Sequence, residues 1–381
     1  MTDLTDMSEA EPSAASRSPG SSPIPLGSDD GVPPEPTRTG APSRSLLPPD
    51  VEGFIEPIPP LPELLDWLAK PADPARTEPL LACIVGEPGT GKTALAVHVA
   101  HRLQAVYPDG QLYASLEMAP PSEVRRQFLR ALGVDWHELD PAGEPDRYQL
   151  LLSGMRVLIV LDGAESTDHV QSLLPHNPSC SVIVTSRSPL SGLPGARTFQ
   201  LQSRNESLAR EMFRTALDRT GRPSDETLLN LLADRFNTPL AARLAASLIR
   251  DGGTTPAALL EPLGGDTTIK AALDKAYAHL QPAEARLLRF LALLDRPAVE
   301  PGLVAALLDS NLTDAAAAIT GLVRGSFVNE TESGEYILHR IIRDFAKERL
   351  DQEESSEAQR AARSRADRWI ASPTFLVRMI V

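Results

Sequence analysis

The stretch CIVGEPGTGKTALAVHVAHRL, Cys83 to Leu103, decides the fold. An apolar run ends in Gly86-Glu87-Pro88-Gly89-Thr90-Gly91-Lys92-Thr93, and an amphipathic run follows from Ala94. The eight residues match G-x-x-x-x-G-K-[ST] at every fixed position, and a strand before and a helix after is the context that pattern requires. Backbone N–H groups between the glycines close around phosphate oxygens, and the helix N-terminus adds a positive field. Lys92 can reach the β- and γ-phosphates and the Thr93 hydroxyl can ligate Mg²⁺. Residues 86–94 are therefore the expected nucleotide site. The loop alone leaves open whether the nucleotide is consumed in phosphoryl transfer, drives a motor or holds a switch.

Outward from this loop the pattern alternates short apolar runs with longer amphipathic ones. Strands are expected at Leu80–Val85, Gln111–Leu116, Arg156–Leu161, Ser181–Thr185 and Arg197–Leu201. Helices are expected at Lys92–Val106 and Ser122–Leu132, with a short one at Val170–Leu174. Near-continuous Val, Ile and Leu in strands separated by helices signals a parallel sheet covered on both faces. Residues 49–205 thus read as an α/β P-loop nucleotide-binding domain.

Two of its strand ends carry chemistry. RVLIVLD ends in Asp162 about 70 residues after the P-loop, the position of a Walker B carboxylate that holds Mg²⁺ through water; the alternative is a capping Asp. Gly163 follows, where vigorous P-loop ATPases commonly place a carboxylate to activate water. Glu165 is the nearest substitute, read either as that base or as an acid in the first turn of a helix. Lys92, Asp162 and Glu165 are the catalytic candidates, and Thr93 and Asp162 the metal ligands. Arg187, just past the next strand at the edge where ligands sit, is either a sensor of the terminal phosphate or a solvated arginine.

Beyond Gln202 the pattern is helical. Residues 206–265 form an expected all-α region, with apolar spacing over Leu208–Thr220 and Asp225–Asp251. Residues 266–350 carry four further helices, at Leu273–Ala278, Ala283–Leu294, Leu303–Leu308 and Ala315–Arg324. SFVNETESGEYILH follows as a β-hairpin turning at Glu332 to Gly334, which suggests a winged helix. Residues 351–381 read as a C-terminal helical tail. Residues 1–48, rich in Pro, Ser, Gly and acids, bury too little apolar surface to order and are expected to be a disordered tail.

Composition bounds the partners. The 381 residues are 42% hydrophobic and carry a formal charge of −14, which argues against a protein that mainly coats nucleic acid but does not exclude a local basic patch. No apolar run reaches the roughly 20 residues of a membrane helix. The start lacks a secretion signal, so the expected location is cytoplasmic, without a membrane partner. Cys83 and Cys180 sit in or beside expected strands and read as small core hydrophobes.

Taken in order, the motifs resemble the NB-ARC group of the STAND signal-transduction ATPases, in the form found in actinobacterial regulators. The likeness spans about Leu47 to Leu350. GEPGTGKTALAVHVAHRL resembles the P-loop, YPDGQLYASL the strand after it, GMRVLIVLDGAE the Walker B strand and SVIVTSR the arginine sensor. NTPLAARLAASLI resembles the glycine-leucine-proline-leucine motif, and YILHRIIRDFAKERL the winged-helix motif Met-His-Asp. The resemblance implies a switch in which ADP holds the protein closed and exchange for ATP opens it for oligomerisation. It places Pro239 against the nucleotide and His339 near the ADP β-phosphate; the alternatives are a helix start and a strand-end histidine. The intact phosphate grip and the missing acid after Asp162 point to slow or conditional hydrolysis, with Mg²⁺ at Thr93 and Asp162, and the expected partners are either copies of the chain or an effector or sensor protein.

The chain departs from that pattern at several positions. Phe54-Ile55-Glu56-Pro57 stands where the family has Val-Gly-Arg, Asn237 or Thr238 where it has glycine, and Arg340 where it has the Asp after the histidine. About 30 residues follow Leu350, too few for a repeat sensor. The expectation is a minimal switch, a subunit whose sensor lies on another chain, or a shortened product.

Two other classes compete. In an AAA+ relative of replication initiators a similar core carries a DNA-binding winged helix. Between Ile269 and Leu350, however, ten Lys and Arg stand against eleven Asp and Glu, without the basic excess of a DNA-reading wing. A small-molecule kinase needs an acceptor pocket that the helical regions do not offer.

Overall fold

The computed structural model describes residues 45–50, 54–55, 59–70, 75–116, 119–134, 143–221, 225–261, 268–294, 298–330 and 334–372. All belong to one of the two units into which the chain divides, Ser43–Val381. In chain order the first part runs α1 (Leu61–Leu68), β1 (Leu80–Val85), α2 (Lys92–Arg102), β2 (Gly110–Ser115), α3 (Pro121–Ala131) and α4 (Glu144–Leu152). It continues with β3 (Val157–Ala164), α5 (Thr167–Gln171), β4 (Ser181–Ser186) and β5 (Ala196–Gln200). Helices α6 (Glu206–Arg219), α7 (Glu226–Arg235), α8 (Pro239–Arg250), α9 (Pro256–Leu260), α10 (Thr268–Ala278) and α11 (Pro282–Leu291) follow. The last part is β6 (Ala298–Val299), α12 (Pro301–Leu308), α13 (Leu312–Arg324), β7 (Val328–Glu330), β8 (Tyr336–Leu338), α14 (Arg340–Glu353) and α15 (Ser356–Ile370).

The five α/β strands form one parallel sheet in the order β2-β3-β4-β1-β5. Its amino acids explain why it is covered on both faces. Along β1, Leu81, Cys83 and Val85 enter one core while Leu80, Ala82 and Ile84 enter another, and every residue of the strand is buried. The strand period of two thus supplies two apolar layers at once. Helices α1 and α2 cover one face through Leu61, Leu64, Leu68, Leu95 and Val99. The other is covered by Val124, Phe128, Tyr148, Leu152 and Val170 of α3, α4 and α5. Cys83 and Cys180 are buried free thiols, each pushed up to about 11 by burial.

Local chemistry moves some expected boundaries. Strand β3 runs on through Asp162 and Gly163 to Ala164, with a register shift against β4 between Leu161 and Ala164. Helix α5 starts three residues earlier than its apolar residues suggest, because the Ser166 hydroxyl caps it by accepting from the His169 N–H. The stretch Asp225–Asp251 is two helices, parted at Phe236–Thr238, and the second has Pro239 in its first turn. Helix α4 carries only Tyr148 and Leu152 as buried apolar residues, too sparse a stripe to register in the sequence.

The N-terminal boundary needs a correction. Residues 1–44 lie outside the described residues, but 45–48, expected in the disordered tail, pack on the edge strand β2. Ser45 bridges Gln111 in parallel, and the Leu46 N–H donates to Gln111 O at 2.8 Å. Leu46 and Leu47 each add to a core on one side of the sheet. An edge strand offers unpaired backbone groups, and this segment satisfies them. Asp50 then meets His98 Nδ1 at 3.0 Å, and the Phe54 ring stacks on His98 with centroids 4.0 Å apart. Glu56 and Pro57 lie outside the described residues.

From Ala209 to Ala366 one continuous apolar core links the helical elements. Helix α8 is at its centre, with Leu240, Ala241, Ala242, Leu244, Ala245, Ala246, Leu248 and Ile249 all buried. A helix apolar on nearly every side belongs in an interior. Strands β6, β8 and β7 form a small antiparallel sheet beside α11, α12 and α13. The expected hairpin is present as β7 and β8; its tip, 331–333, lies outside the described residues. Helix α15 is no loose tail, because Ala362 and Ala366 are fully buried. Among the described residues no single helix is long and apolar enough to cross a membrane.

Candidate nucleotide site

Strand β1 delivers the P-loop and α2 receives it. Gly91 has φ 89 at the helix N-cap, a left-handed conformation in which a side chain is strained, and no side chain caps the first turn. No side chain takes up the opening N–H groups of α2, which follow directly on the loop. Thr90 is buried and its hydroxyl donates to Glu87 O at 2.9 Å, which fixes the loop's curvature. Lys92 Nζ donates to the carbonyls of Gly86 and Glu87, each at 2.8 Å, so the ammonium is held over the loop.

Asp162 is a hub for hydroxyl donors from three elements. Thr93 Oγ1 lies 2.8 and 3.0 Å from its two oxygens, Thr185 Oγ1 donates to Oδ1 at 2.6 Å, and the Tyr113 hydroxyl reaches Oδ2 at 3.2 Å. The Gly163 N–H donates back to Thr185 Oγ1 at 2.9 Å, so the threonine ties the bulged end of β3 to β4. This places the carboxylate and the Thr93 hydroxyl side by side at the mouth of the loop. Such hard oxygen donors suit Mg²⁺, which takes one or two protein oxygens and completes its shell with water and phosphate.

Two other expected residues lie differently. Glu165 is exposed and pairs with Arg340 of α14 at 3.0 Å. Arg187 follows β4 on the exposed surface at the carboxyl edge of the sheet.

The helical part roofs the loop. The Leu240 N–H, in the first turn of α8, donates to Gly89 O at 3.2 Å. A Cβ on Gly89, which has φ +80, would lie 3.0 Å from Ile269 Cδ1, 3.3 Å from Leu240 Cβ and 3.4 Å from Ile341 Cδ1. Helices α8, α10 and α14 thus converge on the tip of the P-loop. Pro239 is half-buried beside Leu240 at the start of α8.

His339 caps α14, its Nδ1 accepting from the Ile341 N–H at 3.3 Å. Desolvation, helped by the positive charges of Arg243 and Lys92, lowers its pKa to about 4. Burial also pushes the Arg243 guanidinium below its ordinary value.

The structure therefore gathers Gly86 to Thr93 and Asp162 in one place, with Pro239 and His339 on the elements that roof it. Sequence reasoning passed over Thr185, which lay in the quoted TSR run, and Tyr113, whose role depends on strand order. It also passed over Arg243, one helical turn after Pro239.

Comparison with known proteins agrees with this core. The NACHT domain family matches residues 80–219. The chain is 34% identical over 301 residues to the regulatory protein AfsR of Streptomyces griseus, a match covering 74% of this chain and 31% of that protein. It is 31% identical over 351 residues to AfsR of Streptomyces coelicolor, covering 86% and 35% respectively. The chain thus spans about a third of the length of these relatives. Among solved structures, a STAND protein with a tetratricopeptide repeat sensor from Pyrococcus horikoshii superposes with a TM-score of 0.62 at 18% identity. That match covers 89% of this chain and 49% of the other. Together the matches support a P-loop NTPase of the STAND class, with regulatory proteins among its relatives.

Proposed function

We propose that this chain is the nucleotide-operated core of a regulator of the NB-ARC type. ADP seated between the P-loop and the roofing helices keeps it closed, and exchange for ATP opens it for self-association or for docking of an effector or sensor protein. The observation that carries the reading is the convergence of Leu240, Ile269 and Ile341 on Gly89. A roof that touches the phosphate loop itself must respond to what the loop holds, because ligand and roof share the same space.

In this reading the backbone of residues 86–91 and Lys92 bind the phosphates, and Ala94 and Pro239 flank the nucleoside. Thr93 and Asp162 would hold Mg²⁺, whose charge offsets that of the phosphates when bound. Thr185 and Tyr113 orient Asp162, and Arg187 senses the terminal phosphate. Hydrolysis is slow because Gly163 supplies no base and Glu165 is engaged by Arg340. We read α11 to α13 with the β6-β8-β7 sheet as a winged helix that acts as a clamp, and the cytoplasm as its place of work.

Acid extraction of gently purified protein, followed by ion-exchange chromatography, tests the reading. About one ADP per chain is expected, and Lys92→Ala should release it. A site that accepts neither ADP nor ATP sinks the proposal, and turnover of tens per second by the isolated chain removes the switch.

A further inference from the structure

We propose that Arg243 is a phosphate-binding residue of the nucleotide site, delivered by α8 to the phosphate chain of a bound nucleoside di- or triphosphate. The inference rests on the nucleotide-switch reading above and adds to it a cation that the P-loop motif does not contain.

Position comes first. Arg243 stands four residues after Pro239 on α8, so the two share a helix face. The first turn of that helix is fastened to the phosphate loop through the Leu240 N–H and Gly89 O. The guanidinium is steadied from the other side by Ser326 O and Asn329 Oδ1, each at 3.3 Å. Asn329 belongs to β7, whose Val328 pairs with Leu338, so His339 is the next residue along β8 from that pair. The Arg243 head therefore lies between the P-loop side of α8 and the hairpin end that carries His339.

Partners come second. Both bonds to Arg243 are long and go to neutral oxygens, and its Nε is buried with no partner. The Thr238 hydroxyl, at the N-cap of the same helix, is likewise buried without one. Arg243 is half-buried with its Nε shut away from solvent, so an anion accepting from its planar fork would offset that cost, and phosphate fits the fork bidentately. The positive charges of Arg243 and Lys92 are both felt at the His339 ring, in the region where α8 and α14 meet the P-loop. A di- or triphosphate is the anion that the P-loop would bring into it. Arg243 would then work as a closure sensor, since α8 can rest on Gly89 with its arginine neutralised only when phosphate is present.

The test uses the full chain and displacement of a fluorescent ADP analogue by ADP, ATP and adenosine, with Arg243→Gln and Arg243→Lys beside the wild type. Arg243→Gln should weaken ADP at least tenfold while leaving adenosine within twofold, and should melt no lower than wild type without ligand. Arg243→Lys, which keeps the charge and loses the fork, should fall between and serves if the glutamine variant does not fold. Unchanged ADP affinity in the variants overturns the inference. So does an equal loss for ADP and adenosine, the result of a merely structural role in seating α8. A wild type that binds neither ADP nor ATP would instead remove the underlying reading of function.

Discussion

The Arg340 guanidinium meets the Glu165 carboxylate at 3.0 Å, joining the first residue of α14 to the loop after the Walker B strand across 175 residues of chain. The sequence offered Glu165 as a water-activating base and Arg340 as a departure from the family's Asp. In the fold the two side chains form a charge pair. Arg340 also lies 3.9 Å from Asp344 one turn on, so the arginine is held on its own helix as well.

An exposed pair of this kind contributes on the order of 0–1 kcal/mol and is screened by salt. Glu165→Gln should therefore leave ATP turnover within about threefold, and speed nucleotide release a few-fold at low salt, an effect that fades near 0.5 M salt. Stopped-flow release of a fluorescent nucleotide reads this directly. Exchanging the charges, Glu165→Arg with Arg340→Glu, should restore the slow release that Glu165→Arg alone loses. Turnover abolished by Glu165→Gln would instead make the carboxylate a catalytic base.

Thr185 is the second test. Its hydroxyl donates to Asp162 Oδ1 at 2.6 Å and accepts from the Gly163 N–H at 2.9 Å. Valine keeps the shape and removes both bonds. Thr185→Val should cost about 1–3 kcal/mol of stability, because the amide and one carboxylate lone pair lose their partner in a largely buried place. It should also weaken Mg²⁺-dependent ATP binding more than Mg²⁺-free binding, since Asp162 is no longer aimed. Calorimetric titrations with and without Mg²⁺ separate the two effects.

Much of this site could be read from the sequence because its parts are local. The P-loop is eight consecutive residues, and β1 announces itself by an unbroken apolar run. The Asp162 hub is different. Thr93, Tyr113 and Thr185 come from three elements, and they meet only because β3 lies between β2 and β4 in the sheet order, which no local pattern encodes. The roof is harder still. Leu240, Ile269 and Ile341 read as ordinary core residues, and their meeting at Gly89 depends on how three helices pack. Residues 45–48 were misread for the opposite reason, since their Pro-rich surroundings hid two leucines that the open edge of β2 recruits.

The roof itself can be lifted by one methyl group. Gly89 has φ +80, where a Cβ costs about 1–2 kcal/mol, and that Cβ would press on Ile269 Cδ1 at 3.0 Å. Gly89→Ala should therefore loosen α8, α10 and α14 from the loop. Release of ADP should quicken at least tenfold, with a shift toward larger species in ATP if opening frees a self-association surface. Light scattering after size exclusion checks the second outcome. Ile269→Ala should relieve the clash and partly rescue slow release, which a general defect of loop folding would not permit.

His339 links stability to pH with a definite sign. Its ordinary pKa of 6.5 falls to about 4 in the folded chain, first through desolvation and then through Arg243 on α8 and Lys92 on the P-loop. The Ile341 N–H, donating to Nδ1, also favours the neutral ring. Between pH 6.5 and pH 4 the unfolded chain binds a proton here that the folded chain does not. Stability contributed by this residue is therefore complete above pH 6.5 and falls as the pH drops through that window, by at most about 3 kcal/mol. His339→Asn keeps a capping acceptor and cannot take up the proton. Urea unfolding at pH 7.5 and pH 5 should show a smaller loss for the variant than for wild type, the other titrating groups cancelling in the difference. Bound ADP should shrink the wild-type loss as well, because a phosphate beside the imidazole offsets Arg243 and Lys92 and raises its pKa again. Equal losses for the two proteins would mean that His339 does not feel those cations, and the close approach of α14, α8 and the P-loop would lose its electrostatic signature.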